Sequence, residues 1–318
     1  MPSPSLRRCG KFLGGGSKYK RWLLLPVASD HPPPYTVCPM STSTPLHGPL
    51  RWAHLSTADF AAVDRSRAIA VLPVAATEQH GPHLPLSVDS DLADGIIAAA
   101  WAPLQTTLTD RAALFLPTQT VGFSPEHSAF SGTLTLKAET LMRVWTELAE
   151  CVAASGITTL LIFNTHGGQQ GALDLVARDL RARLGMTVVS TSWYQLPLLD
   201  ALGQDVMARF SAHEQRFGVH AGQVETAMMR ALHPERVRMD RAEAFASATE
   251  WRAQHLPLLG NGKSAKLAWA TQDLNPRGAV GNAAAATAED GQTLLQAAGR
   301  GLAQLVVEMG RLGEAPRP

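Results

Sequence analysis

The sequence is poor in cysteine, in long apolar runs and in net charge, and each shortage excludes a class of protein. Its 318 residues contain three cysteines, Cys9, Cys38 and Cys151, too few for a disulfide framework and without the CxxC spacing of a thiolate zinc site. We therefore expect a reducing compartment, the cytoplasm. The formal charge of +1 gives no general attraction to nucleic acid or to an anionic membrane surface.

No apolar run is long enough to cross a bilayer, which takes roughly 20 residues. The longest, residues 22–28, contains Pro26. It follows a basic stretch, but no small-x-small cleavage pattern comes after it, so a signal peptide is not predicted. We expect no nucleic-acid or membrane partner, and a small molecule as the simplest ligand.

Residues 1–46 differ in composition from the rest of the chain. They are basic, contain a glycine run and a proline run, and show neither helical nor strand periodicity. We predict that they are disordered or a mis-annotated N-terminal extension, with Met40 as an alternative start. The folded domain is predicted to span residues 47–318.

From Leu55 onward, short apolar runs alternate with amphipathic stretches, a pattern typical of βαβ units around a largely parallel sheet. Predicted strands cover residues 68–76, 158–163 and 187–192, and predicted helices cover residues 91–101, 141–152 and 173–184. Cys151 falls in the second helix, where we expect it to pack in the interior. Since ligands of parallel sheets bind beyond the carboxyl ends of the strands, the loops after the first two strands are expected to open onto one crevice.

Glu78 and His80 follow the first predicted strand. Residues two apart at the end of an extended strand point to the same face. A carboxylate and an imidazole suit a first-row divalent ion such as Zn, Mn or Fe(II). A glycine and two prolines then turn the chain, which brings Asp89 back as a carboxylate suited to bridging two ions. The alternative is that these polar residues decorate a solvated loop tip.

Two further clusters add ligand types to this pair. His166 stands in a turn after the second strand, where Gly167 and Gly168 let backbone approach a ligand closely. His220 and Glu225 flank a glycine before a predicted helix, so Glu225 suits a metal ligand and His220 a proton shuttle beside metal-bound water. The alternatives are a helix-capping turn for the first cluster and a glycine-rich helix start for the second.

Together the clusters supply three carboxylates and three imidazoles. Signatures of other chemistries are missing from the sequence, because no GxSxG elbow, Walker loop or helix-opening GxGxxG stands at an expected place. The pattern favours a metal-dependent hydrolase.

These clusters resemble the motifs of the creatininase (creatinine amidohydrolase) family, in order and at suitable separations, over roughly residues 50–310. The segments that carry the resemblance are residues 72–89, 127–134, 164–168, 220–226 and 278–291. The resemblance implies a three-layer αβα sandwich with a largely parallel sheet, a dinuclear metal centre, hydrolysis of an amide or cyclic amide, and assembly into homohexamers.

Carried over residue by residue, the resemblance implies two ions per subunit, each Zn, Mn or Fe. Glu78, Asp89 and His166 would hold one ion, and His80, Asp89 and Glu225 the other. His220 would act in catalysis beside Glu225, and the substrate would contact Ser124, Gly167 and Gly168. The expected substrate is a small, often cyclic, amide or a formamide. The alternatives are a peptidase of a modified-peptide precursor and a non-catalytic protein that the metal stabilises.

The chain also departs from creatininase proper. That enzyme carries an aromatic residue and a glutamate after the histidine that matches His166, whereas this chain has Gly167 and Gly168. Gln169 and Gln223 likewise replace an asparagine and a glutamate that are usual in relatives. These changes argue against creatinine as the substrate and keep an inactive paralogue open, but they leave the ligand set whole, so we expect metal binding.

Overall fold

A five-stranded sheet forms the centre of the computed structural model, which describes residues 46–312. The strands are Gly48–Arg51 (β1), Ile69–Val74 (β2), Ala112–Phe115 (β3), Thr159–Asn164 (β4) and Thr187–Ser192 (β5). They stand in the order β1-β3-β2-β4-β5, and every pairing is parallel. A separate antiparallel pair joins Ala244–Phe245 (β6) to Gly281–Asn282 (β7).

The sequence of β2 explains its central position. All six of its residues are buried, as expected for a parallel strand covered on both faces. Its side chains alternate between two hydrophobic clusters, with Ile69 and Val71 on one face and Ala70 and Leu72 on the other. Layers of apolar side chains therefore lie on both sides of the sheet.

Helices supply the two outer layers. Their bounds are Thr57–Ala61 (α1), Val88–Thr107 (α2), Ala138–Ala154 (α3), Gln170–Leu184 (α4), Ala212–Phe217 (α5), Gln223–Leu232 (α6), Ala248–His255 (α7) and Ala288–Arg311 (α8). One face of the sheet packs against α2, α6 and α8, through residues such as Leu92, Met228 and Leu302. The other packs against α3 and α4, through residues such as Trp145 and Leu173. The predicted αβα sandwich is confirmed.

Local boundaries agree in part with the sequence prediction. The bounds of β5 are those predicted, whereas α2 begins at Val88, three residues before the predicted start, and so includes Asp89 in its first turn. The prediction that Cys151 packs in the interior was wrong, because its side chain is exposed. The neighbouring Val152 takes the core-facing position of α3. Adjacent helical residues point in directions about 100° apart, so Cys151 is turned away from the core.

The predicted N-terminal extension, residues 1–46, lies outside the described residues except for Leu46, which forms a bridge with Val63. Within residues 46–312, no helix combines the length and the apolar character needed to cross a membrane.

The carboxyl ends of β2 and β4 lie side by side. Val74 pairs with Asn164, and the next backbone amide, that of Thr165, donates to the Val74 carbonyl at 3.0 Å. The loops that follow these two strands therefore leave the sheet at the same edge, as parallel neighbours must.

Candidate metal centre

Glu78 and His80 lie in the loop after β2, and each is only 1% exposed. The loop is held in place by the Glu78 amide, which donates to the Leu86 carbonyl at 3.1 Å. Nδ1 of His80 lies 3.0 Å from the Glu78 carbonyl. Because a carbonyl only accepts, Nδ1 carries the proton, and Nε2 presents a lone pair suited to a metal ion.

Asp89 lies in the first turn of α2 and is 2% exposed. Its two oxygens face different imidazoles, with Oδ1 3.9 Å from His80 Nε2 and Oδ2 3.7 Å from His166 Nδ1. Thr165 donates to the backbone carbonyl of Asp89 at 2.8 Å, which ties this helix start to the end of β4. A carboxylate placed between two imidazoles in this way suits a bridge between two ions.

His166 follows β4 and connects the bridge to Glu78. Its Nδ1 lies 3.2 Å from Glu78 Oε1, and its Nε2 donates to the Phe123 carbonyl at 3.0 Å. Its backbone is held by Asn164, whose amide donates to the His166 carbonyl at 2.6 Å. Gln169 donates to Asn164 Oδ1 at 2.9 Å, so the glutamine that replaces an asparagine supports the turn.

Glu225 and His220 approach from the opposite side of the crevice. Glu225 lies in the first turn of α6, and its Oε2 is 4.0 Å from His80 Nε2 and accepts from the Ala221 amide at 2.6 Å. His220 is 7% exposed, and its Nε2 donates to the Gln79 carbonyl at 2.9 Å. In the neutral ring the lone pair then lies on Nδ1, which is 4.0 Å from Glu78 Oε1.

A buried carboxylate holds the segment that carries these two residues. Glu214 is 2% exposed and accepts from the backbone amides of Gln223 and Asn282, each at 2.7 Å. The segment also bridges to Val280, whose amide donates to the His220 carbonyl at 2.9 Å. Glu214 therefore orders the loop without taking part in the cluster itself.

Two residues near the cluster were not predicted as site residues. His127 is 2% exposed, with Nε2 3.2 Å from Glu78 Oε1. Glu126 lies 3.4 Å from His166 Nε2 through its Oε1. Both belong to the short turn Pro125–His127, and the available signal was that His127 opens a segment that resembles the family motif.

The ligand atoms converge closely enough for metal ions. Three groups have ligand atoms that all lie within 4.8 Å of one another. The groups are His80, Asp89 and Glu225; Glu78, Glu126 and His166; and Glu78, His80 and His220. The structure thus brings together every predicted metal ligand.

Unpartnered polar atoms concentrate at this place. In residues 46–312, five buried side-chain atoms lack a hydrogen-bond partner, and three of them are Glu78 Oε2, His80 Nε2 and Asp89 Oδ2. Leaving a buried polar atom unpaired costs about 1–3 kcal/mol. The residues therefore fit a cation, which binds the lone pairs of these atoms, and oxygen and imidazole ligands without thiolate suit first-row divalent ions.

The pKa shifts of the ligand residues also indicate that the cluster lacks positive charge. Burial, reinforced by the negative charge of Glu78, raises the pKa of Asp89 well above its ordinary value. Burial also raises the pKa of Glu225, and burial together with the charge of His220 lowers the pKa of His80 well below its ordinary value. Metal cations would favour the ionised carboxylates and the neutral imidazole that ligation requires.

The pKa values of His166 and His127 are shifted in opposite directions, although burial acts to lower both. Burial acts to lower the pKa of His166, but the charges and hydrogen bonds of Glu78, Glu126 and Asp89 together outweigh it, and the pKa is raised well above its ordinary value. Burial and the charge of His220 lower the pKa of His127 to about 3, so this imidazole is neutral at pH 7.

The predicted substrate residues lie at different depths. Gly167 and Gly168 are exposed at the mouth of the crevice, whereas Ser124 is fully buried, with Oγ 3.3 Å from His166 Nε2. Tyr194 lies beside Gly167, since a Cβ on Gly167 would come 3.7 Å from its hydroxyl.

The sequence profile of the family described as Creatininase, creatinine amidohydrolase, matches residues 53–306. The chain belongs to the creatininase family. The mycofactocin precursor peptide peptidase of Mycobacterium ulcerans is 32% identical over 227 residues, which cover 70% of this chain and 78% of that protein. Creatinine amidohydrolase of Pseudomonas putida is 26% identical over 193 residues, which cover 57% of this chain and 70% of that enzyme.

A solved manganese form of creatininase has the same fold, with a TM-score of 0.64 at 23% identity over 81% of this chain and 97% of that one. Creatininase-family members are hydrolases of non-standard amide or peptide substrates, so this chain is a hydrolase of the same kind. The predictions of the family, the fold class and the enzyme class are confirmed.

Proposed function

We propose that the protein hydrolyses a C–N amide bond with water activated between two divalent ions. The observation that carries this proposal is the position of Asp89, whose two oxygens face His80 on one side and His166 on the other. A shared carboxylate flanked by two nitrogen ligands is the arrangement that a two-metal site needs.

The ligands divide into two groups around Asp89. Glu78 and His166 would complete the first site, and His80 and Glu225 the second. Ions held there would lower the pKa of a bound water toward neutrality and polarise the scissile carbonyl. Iron, manganese and zinc all suit this mixture of carboxylate and imidazole, so the donor set by itself does not select one.

His220 would accept and donate the proton in the reaction. Its Nε2 is held by the Gln79 carbonyl, which leaves the Nδ1 lone pair facing Glu78 at 4.0 Å. Its ring centroid lies 4.3 Å from that of His80, beside the second site. A proton taken up at Nδ1 can be passed to the leaving nitrogen as the C–N bond breaks.

We infer that the amide belongs to a peptide. Creatininase proper carries an aromatic side chain and a glutamate where this chain has Gly167 and Gly168, and both glycines are exposed at the crevice mouth. A crevice mouth formed by glycines leaves room for an extended peptide, whereas a small cyclic amide would make fewer contacts there. The peptidase of Mycobacterium ulcerans, at 32% identity, supports the same substrate class.

A small cyclic amide is the second candidate, since the Pseudomonas putida relative is named for creatinine. Ser124, Gly167 and Gly168 remain the predicted substrate contacts. A cytoplasmic homohexamer remains a prediction, and light scattering coupled to size-exclusion chromatography would measure the subunit number.

The test combines metal content with turnover. Elemental analysis after reconstitution is expected to give about two ions per chain. The loaded protein is expected to cleave short peptides faster than creatinine or formamides, and a chelator should stop all turnover. Two ions per chain with no hydrolysis of any member of the panel would contradict the proposal and favour a metal-stabilised binding protein.

A further inference from the structure

Three imidazoles approach the Glu78 carboxylate, and the hydrogen bonds behind them show which one donates to it. Nε2 of His127 and Nδ1 of His166 each lie 3.2 Å from Glu78 Oε1, and Nδ1 of His220 lies 4.0 Å from it. Nε2 of His166 and Nε2 of His220 donate to backbone carbonyls, so the lone pairs of these neutral rings lie on Nδ1. With both rings neutral, the donor to Glu78 among the three imidazoles is His127.

The side chain of Gln79 determines which nitrogen of His127 carries the proton. The amide of Gly81 donates to Gln79 Oε1 at 2.9 Å, which fixes the orientation of the side-chain amide. Nε2 of Gln79, which can only donate, lies 2.8 Å from Nδ1 of His127. Nδ1 is therefore the acceptor, and Nε2 of the neutral ring carries the hydrogen on the side of Glu78.

Two neighbours favour the same arrangement of the amide and the ring. The Thr271 hydroxyl lies 2.9 Å from Nδ1 of His127 and can donate to it. A Cβ on Gly278 would overlap Gln79 Oε1, so this glycine leaves the volume that the amide occupies. The tautomer of His127 is thus set by the protein around it.

The segment 127–134, which begins at His127, is joined to the loop of Glu78. The Gln79 amide donates to the Thr133 hydroxyl at 3.1 Å. The side chains of His127 and Glu78 are 2% and 1% exposed, so water does not compete for their contact. The donor and the carboxylate are therefore fixed relative to each other before any ion binds, as a preorganised ligand requires.

We propose that His127 is a positioning residue, whose Nε2–H holds Glu78 Oε1 and orients the carboxylate toward the first metal site. Hydrogen bonds to an ionised carboxylate are about twice as strong as those between neutral groups. Glu78 Oε2 is buried without a hydrogen-bond partner, so its lone pairs are free for a cation. This inference rests on the two-metal site of the proposed function.

The same tautomer argues against His127 as a further metal ligand. Ligation through Nε2 needs the lone pair on that atom, and a proton on Nδ1 would then face the donor group of Gln79. His127 also stands outside the three groups whose ligand atoms converge. Its part is to hold a ligand in place.

Two amide substitutions separate the donor of His127 from its acceptor. The amide nitrogen of His127→Gln reaches the position of Nε2 and can still donate to Glu78. The shorter side chain of His127→Asn reaches only the position of Nδ1, where its oxygen can still accept from Gln79. A merely structural role, exerted through Gln79 and Thr271, would make His127→Asn the milder change, whereas a donor to Glu78 makes it the more severe one.

Mn²⁺ titration calorimetry with elemental analysis measures the difference without relying on turnover. His127→Asn is expected to weaken one of the two ions by about 10–100-fold, as loss of an outer-shell partner does, and His127→Gln by less than about three-fold. His213→Asn is the matched control, because His213 also faces a glutamate, Glu250 at 3.1 Å, but is exposed. Equal losses in the two His127 variants would overturn the proposal.

Heteronuclear NMR of the metal-free wild-type protein, with isotope-labelled histidine rings, tests the tautomer directly. The His127 ring is expected to carry its proton on Nε2 and to have an unprotonated Nδ1. A neutral ring protonated on Nδ1 would overturn the proposal even if the variants fail to fold.

The two proposals fail differently. If wild-type protein binds no Mn²⁺, the two-metal function itself is wrong. If wild-type protein binds two ions and His127→Asn binds both with unchanged affinity, only the role of His127 is overturned.

Discussion

The two halves of the metal centre are built from different kinds of structure. The first half, Glu78 with His166, lies on loops at the ends of neighbouring parallel strands. In the second half, His80 shares the strand-end loop of Glu78, but Glu225 stands in the first turn of a helix, where the helix dipole favours a carboxylate. Asp89 belongs to both halves and also begins a helix.

The two halves also differ in the contacts that hold their ligands in place. The strand-end half is fixed by the sheet and by Gln169, which donates to Asn164 Oδ1 and to the Ala75 carbonyl. The helix half depends on the loop that Glu214 ties to two backbone amides. We therefore expect each half to be removable by itself, and only Asp89 to remove both.

The largest effect is expected for Asp89→Asn. Loss of the shared carboxylate should abolish binding of both ions and reduce kcat/KM by at least about 10³-fold, since metal ions supply several kcal/mol of transition-state stabilisation. Elemental analysis and peptide turnover would measure both losses. Asp91→Asn is the matched control, because Asp91 lies in the same helical turn but pairs with Arg236. A variant that keeps two ions would contradict the bridge.

Glu225→Gln should remove only the helix half. The expected result is about one ion per chain, with the ion at Glu78 and His166 retained and turnover lost, because both ions act on the same water. Native mass spectrometry of the loaded variant would count the ions. Loss of both ions would show that the halves are not independent.

Gln169→Ala should weaken metal binding in the strand-end half, because it removes a side chain that holds the turn of His166 in place. Removing an outer-shell partner is expected to weaken the first ion by about 10–100-fold. It also removes the side chain that pairs with the Ala75 carbonyl and the Phe123 amide, at a cost of about 1–3 kcal/mol in unfolding free energy. Calorimetric titration and thermal melting would measure the two effects, and Gln170→Ala serves as a neighbouring control in the same turn.

The smallest expected effect is a pH-dependent change in the thermal stability of the metal-free protein. The pKa of Asp89 is raised in the folded state, so the folded protein binds a proton that the unfolded chain has released. The stabilisation from that proton is complete below the unfolded pKa, near 4, and is lost as pH rises through the folded pKa. Metal-free Asp89→Asn should therefore melt higher than metal-free wild type near pH 8, with the gap closing toward about pH 5. A gap that widens toward acid would contradict the assignment.

Sequence patterns predicted the parts of the structure that depend on local periodicity. The run of Thr187–Ser192 formed a strand with the predicted bounds, and the clusters at Glu78 and His166 lie together as the strand-end argument required. The resemblance to the family motifs contributed the pairing of ligands, which spacing alone leaves open.

The same patterns could not predict contacts between residues that lie far apart in the sequence. Glu126 lies 3.4 Å from His166 Nε2 although forty positions separate the two residues, and no spacing in the sequence pairs them. The exposure of Cys151 depended on which residue of α3 faces the core, and a shift of one position reverses that outcome. The four-residue edge strand β1 is too short to show a period.

Electron paramagnetic resonance of the Mn²⁺-loaded protein tests the shared bridge most directly. Two ions joined by Asp89 should give the many-line spectrum of an exchange-coupled pair, and Asp89→Asn or Glu225→Gln should remove it. If wild-type protein with two bound ions shows only the sextet of isolated Mn²⁺, the two ions are not bridged and the account of this centre is wrong.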